Sequence, residues 1–115
     1  MNAEQRARVI ELLITVIRAL IGGEEGISQS SKLFGQMTVD EVLEGLSRWD
    51  GKVTMVPREA LEQAEFYETE DSNVFGLEVR LWFDGKESDL ELIGEVVLGE
   101  QCDRDRIVVE DIRVM

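Results

Sequence analysis

Carboxylates are the groups with which this sequence could do chemistry. Asp84, Glu87 and Asp89 crowd one short stretch, and Asp103, Asp105, Glu110 and Asp111 crowd another. Paired acids can serve as general acid and base, or bind Mg²⁺ or Ca²⁺ through oxygen. Neither spacing matches a diagnostic motif. Acids at turns and sheet ends facing water are the simpler reading, so no catalytic residue, metal ligand or cofactor is assigned. The chain has no histidine, which removes imidazole relays, bases and metal sites together. Cys102 is the only cysteine, so neither an intramolecular disulfide nor a thiolate zinc site is available. The acids around Cys102 disfavour thiolate, with Arg104 and Arg106 offsetting them in part, and the thiol reads as a bystander.

The formal charge is −13, and it is uneven. Residues 1–50 carry 5 basic and 8 acidic side chains (−3), and residues 51–115 carry 7 and 17 (−10). Such a field repels nucleic acid and anionic lipid and attracts basic proteins. The simpler alternative is that acidic surface keeps a small protein soluble.

The positioning elements follow from apolar periodicity. The 115 residues suit one domain, with a helical half (1–65) and a sheet half (66–115). Val9 to Ile21 is apolar on most sides and leaves only Glu11, Thr15 and Arg18 as a polar stripe. Arg6 and Arg8 before it resemble a signal peptide. Glu11, Arg18 and the poor cleavage site at Gly22-Gly23-Glu24 point instead to a core helix, from about Ala3, in a cytoplasmic protein. Gly22-Gly23 is expected to stop it. A loop over 24–37 is anchored by Ile27, Leu33, Phe34 and Met37. Thr38-x-x-Glu41 is a capping box opening a second helix, and Pro57 introduces a third over Arg58 to Ala64. Residues 52–56 read as a connector or a short strand.

Phe75, Leu77, Val79, Leu81 and Phe83 alternate with Glu78, Arg80 and Trp82, which predicts a strand. Leu90, Leu92, Gly94, Val96 and Leu98 predict the next, after a two-residue turn at Gly85-Lys86. That register pairs Leu81 with Leu90 and Leu77 with Gly94 inside, and Arg80 with Glu91 outside. Ile107 and Val109 share a face with Ile112 and Val114 only if a bulge intervenes at Glu110-Asp111. Phe66 to Thr69 is a possible edge strand. The fold class is α+β: α-α-α-β-β-β(-β), helices on one face of a curved antiparallel sheet of three or four strands. This layout resembles nuclear transport factor 2-like and, less closely, cystatin-like folds. The opposite face carries Trp82 and Arg80 with Ile93, rimmed by Glu78, Glu91, Glu95 and Glu110, a candidate contact surface for a basic partner. Cover by the 24–37 loop or by a second copy is the competing reading.

Leu81-Trp82, Ser88-Asp89-Leu90 and Asp111-Ile112-Arg113-Val114-Met115 together resemble the ending of an uncharacterised bacterial family of short proteins. Its members show a Leu-Trp pair, a Ser-Asp-Leu and a terminal Asp-Ile-x-Val-(Leu or Met). That family often has histidine where this chain has Arg113, so no imidazole role carries over. Small acidic proteins of this kind resemble immunity proteins, which implies neutralisation of a cognate toxin by binding. For Ser88, Asp89 and Asp111 the preferred reading is a local one, turn locks bonding backbone N–H groups, which explains them without a ligand. Three functions are therefore expected to compete: an acidic protein-binding module, a small-ligand or isomerase-like protein of the cone-shaped class, and a homo-oligomer.

Overall fold

The computed structural model describes residues 1–115, the side chain of Cys102 excepted, so the expectation for that thiol lies outside what is described. Helix α1 (Ala3–Ile21) begins at a capping box absent from the sequence expectations. Asn2 Oδ1 accepts from the Gln5 N–H at 2.8 Å, and Gln5 Oε1 accepts from the Asn2 N–H at 3.0 Å. Val9, Ile10, Leu13, Val16, Ile17 and Leu20 are buried, while Glu11, Thr15 and Arg18 form the exposed stripe.

The chain does not enter a loop after Gly22. Gly23 takes the left-handed conformation (φ 65°) and opens α2 (Gly23–Gln29), followed by a 3₁₀ turn at Ser31–Phe34. These short pieces lack a helical period; burial of Ile27 and Phe34 in the core holds them. Helix α3 (Val39–Ser47) starts at the expected box, Thr38 Oγ1 accepting from the Glu41 N–H at 3.1 Å. It lies so close to the last strand that a Cβ on Gly45 would come within 3.1 Å of Ile112 Cβ. Strand β1 (Val53–Thr54) resolves the open choice at 52–56. Helix α4 (Arg58–Glu62) ends before Ala64, and the Arg6 guanidinium donates to the freed Glu62 and Ala64 carbonyls while stacking on Phe66. Strand β2 is Glu65–Glu68.

Strands β3 (Val74–Phe83), β4 (Lys86–Val97) and β5 (Arg106–Val114) complete an open antiparallel sheet of five strands, in the order β1-β3-β4-β5 with β2 also on β3. The sheet therefore has more strands than the three or four expected. Leu77 pairs with Gly94 and Val79 with Leu92, as the alternation predicts. The turn, however, is Asp84-Gly85 (φ 51° and 76°), with Phe83 opposite Lys86. The offset is taken up between Arg80↔Glu91 and Trp82↔Glu87, where Leu81 alone faces three residues of β4. Ser88 holds this irregularity. Its buried hydroxyl donates to the Leu81 carbonyl at 2.7 Å and accepts from the Leu90 N–H at 3.1 Å. Ser88→Ala should lower stability by about 1–2 kcal/mol, because the Leu90 N–H and Leu81 carbonyl lose a buried partner. Chemical denaturation checks it, with exposed Asp89→Ala as a near-neutral control.

The second bulge lies where the alternation slips. Ile93 faces Asp111 and Gly94 faces Val109, so Glu110 is the extra residue. Asp111 Oδ1 accepts from the Ile112 N–H at 2.8 Å. Ile107, Val109 and Ile112 thereby stay inward, whereas Val114, expected to join them, is 49% exposed at the strand end. The inward residues of β3, β4 and β5 form one buried cluster with α1, α2 and α3. No helix among the described residues is long and apolar enough to cross a membrane.

Candidate binding face

Strands β3 and β5, with β4 between them, set the opposite face. Across it run the rows Glu78–Ile93–Asp111 and Arg80–Glu91–Arg113, with Glu95 beside Gly76 and Val108. Residues of this face are exposed or half-buried, in contrast to their inward neighbours. Arg80 stands opposite Glu91 as expected, but its Nη1 bonds Glu87 Oε1 at 2.7 Å instead. Because of the earlier turn, Glu87 comes opposite Trp82, one pair from Arg80. That hydrogen bond, more than the surrounding charge, holds the guanidinium proton more tightly than usual. Arg113 reaches Glu78 at 3.7 Å. The Tyr67 hydroxyl donates to Glu65 and, at 3.0 Å, to Glu78; these bonds push its phenol well above the usual range.

A depression of about 410 Å³ opens beside Trp82. It lies at a break in the sheet border: β2 pairs with β3 only as far as Glu78, and β1 only from Trp82 onward. The connection through α4 bridges the break, so Val56, Ala60, Gln63 and Ala64 form one wall. Trp82, Arg80, Glu78, Glu87 and Glu91 belong to the sheet side, with Glu65 and Met115 completing the rim. Trp82 is half-buried and packs against the edge of the core. Its Nε1 is enclosed and has no hydrogen-bond partner among the described residues. Leaving a buried donor unpaired costs about 1–3 kcal/mol. The wall beside Trp82 is the α4 segment, where the sequence offered the 24–37 loop.

Of the carboxylates that opened the sequence reading, Asp84, Glu87, Asp105 and Asp111 have partners. Asp84 Oδ1 accepts from the Lys52 N–H at 3.1 Å, tying the hairpin to β1. Asp105 is almost wholly buried against Arg8. Among the described residues no group of three or more His, Cys, Asp or Glu is placed to hold a metal ion.

Residues 19–115 match a family described as a domain of unknown function, DUF7668. The chain belongs to that family. No curated protein and no solved structure matches it. The DUF7668 match starts inside α1 and takes in all five strands with the whole of this face. Of the face residues singled out in the sequence, Trp82, Arg80, Glu78 and Glu91 meet at the depression. Ile93 sits beside Glu78, Glu95 lies further along β4, and Glu110 is the bulged residue. Glu87, Glu65, Met115 and the α4 wall were missed. Moving the turn one residue earlier would have found Glu87; no periodicity in 55–64 announces the wall.

Proposed function

We propose that this DUF7668 chain is a non-catalytic, acidic protein-binding module that docks a basic protein partner on the outer sheet face. The observation that carries this is the depression at Trp82: a half-buried aromatic, a wall of Val56, Ala60 and Ala64 with Gln63, and four rim carboxylates against one rim guanidinium. Aromatic anchors inside a charged rim are how protein interfaces concentrate affinity and choose partners. Neutralisation of a basic toxin by an immunity protein in the cytoplasm is the form of this function that the sequence resemblance favours. A carrier or isomerase of the nuclear transport factor 2-like class would need its ligand between helices and sheet, where the inward side chains other than Ser88 are apolar and packed in one cluster.

The tagged chain would be used to capture partners from its source cells, and the pair rebuilt from purified components. Trp82→Ala and Glu91→Lys should each weaken that complex by about tenfold or more, with affinity falling as salt rises. Recovery of no partner, or of one indifferent to both substitutions, overturns the proposal.

A further inference from the structure

We infer that the depression beside Trp82 is the seat of one arginine side chain of the partner; this rests on the docking reading above. Nε1 is enclosed, so what Trp82 contributes to the lining of the depression is not its donor. An indole ring attracts a cation stacked on its face. The rim acids are not equivalent. Glu87 is hydrogen-bonded by Arg80, and Glu78 by Tyr67, with Arg113 as its ion-pair partner at 3.7 Å. Glu91 stands opposite both Arg80 and Arg113, yet each guanidinium bonds elsewhere, and Glu91 has no hydrogen bond or ion pair among the described residues. The unused carboxylate therefore lies on the rim of a depression beside an aromatic ring. A guanidinium satisfies both at once, its plane on the indole and its N–H fork on Glu91; an ammonium has no such plane. The volume of about 410 Å³ admits a long side chain with space left for water.

The test uses the full chain with Trp49→Phe, which leaves Trp82 as the only tryptophan, its melting temperature checked against the parent. Capped Gly-Arg-Gly and Gly-Lys-Gly are titrated while Trp82 fluorescence and its indole N–H resonance are followed. The arginine peptide should saturate the signal about fivefold more tightly than the lysine peptide. Glu91→Gln should remove most of that preference, and Glu95→Gln, on the same face outside the depression, should leave it intact. Equal binding of the two peptides, or indifference to Glu91→Gln, overturns the inference. If the arginine peptide fails while the protein partner still depends on Trp82, the face stands and the seat is wrong. If both fail, the docking reading goes with it.

Discussion

Asp105→Asn should destabilise the protein by about 3 kcal/mol, a drop in melting temperature of roughly 10 °C. Its carboxylate is 4% exposed and takes the Arg8 Nε at 2.9 Å through one oxygen, with Arg8 Nη2 on the other. Oδ1 also accepts from the Gly99 N–H at 3.0 Å, and Arg8 Nη2 donates to the Gly99 carbonyl at 2.8 Å. The pair fastens the 98–105 connection to α1, residues 97 positions apart in the chain. Removing the charge takes a bidentate carboxylate away from Arg8, itself only 16% exposed. The cost is set at the lower end of the range for buried pairs because Arg8 keeps some water. The hydrogen bond from Arg8, helped by Gly99 and opposed by burial, holds the Asp105 carboxyl below its ordinary range. A carboxylate depressed in this way stabilises fully above its unfolded value of about 3.9, and that contribution is lost as pH falls through the folded value. The gap between parent and Asp105→Asn should thus be flat from about pH 7 to pH 5 and close below about pH 4. Urea melts across that range check it. A gap that persists undiminished at pH 3 would assign the loss to packing instead.

Gly94→Ala should cost about 3 kcal/mol although it adds a single methyl group. A Cβ there would lie 2.4 Å from the Val108 carbonyl oxygen and 3.3 Å from Val109 Cα. Both neighbours are backbone, so no rotamer change relieves the clash; the β5 bulge itself must move. Gly76→Ala is the matched comparison. It is also a mid-strand glycine, but its Cβ would meet only the Tyr67 side chain, at 3.7 Å and beyond. Ordinary strand entropy makes that change neutral or slightly favourable. Parallel denaturation curves in which both variants lose equally would show that the bulge does not set the cost.

The two irregularities of the sheet explain what could be read from the sequence. The extra residue at Glu110 reverses the alternation, so Ile107 and Val109 fall out of step with Ile112, and the pattern announces it. The irregularity at Ser88 inserts two residues on β4 and preserves parity, so every side chain stays on its expected face. Alternation is blind to it, which is why the turn is placed one residue late and Glu87 is missed. Face membership of Trp82, Arg80, Glu78 and Glu91 needed only parity and was legible. The depression needed the α4 segment to meet the sheet border. That is a contact between distant parts of the chain, and local pattern does not encode it. The helix at Gly23–Gln29 escaped notice for a similar reason: it exists because Ile27 has a place to pack.

The seating of α3 on β5 bears on how the molecule behaves in a crowd. A nine-residue border strand with unpaired amides is ordinarily a template for fibre growth. Here Gly45 brings the helix backbone against Ile112, and the bulge at Glu110 breaks the regular row of amides along the same border. End-to-end stacking of sheets is thereby frustrated on this flank, while the acidic β2 on the other flank repels its own copies. Both features work against edge-to-edge pairing of one open sheet with another.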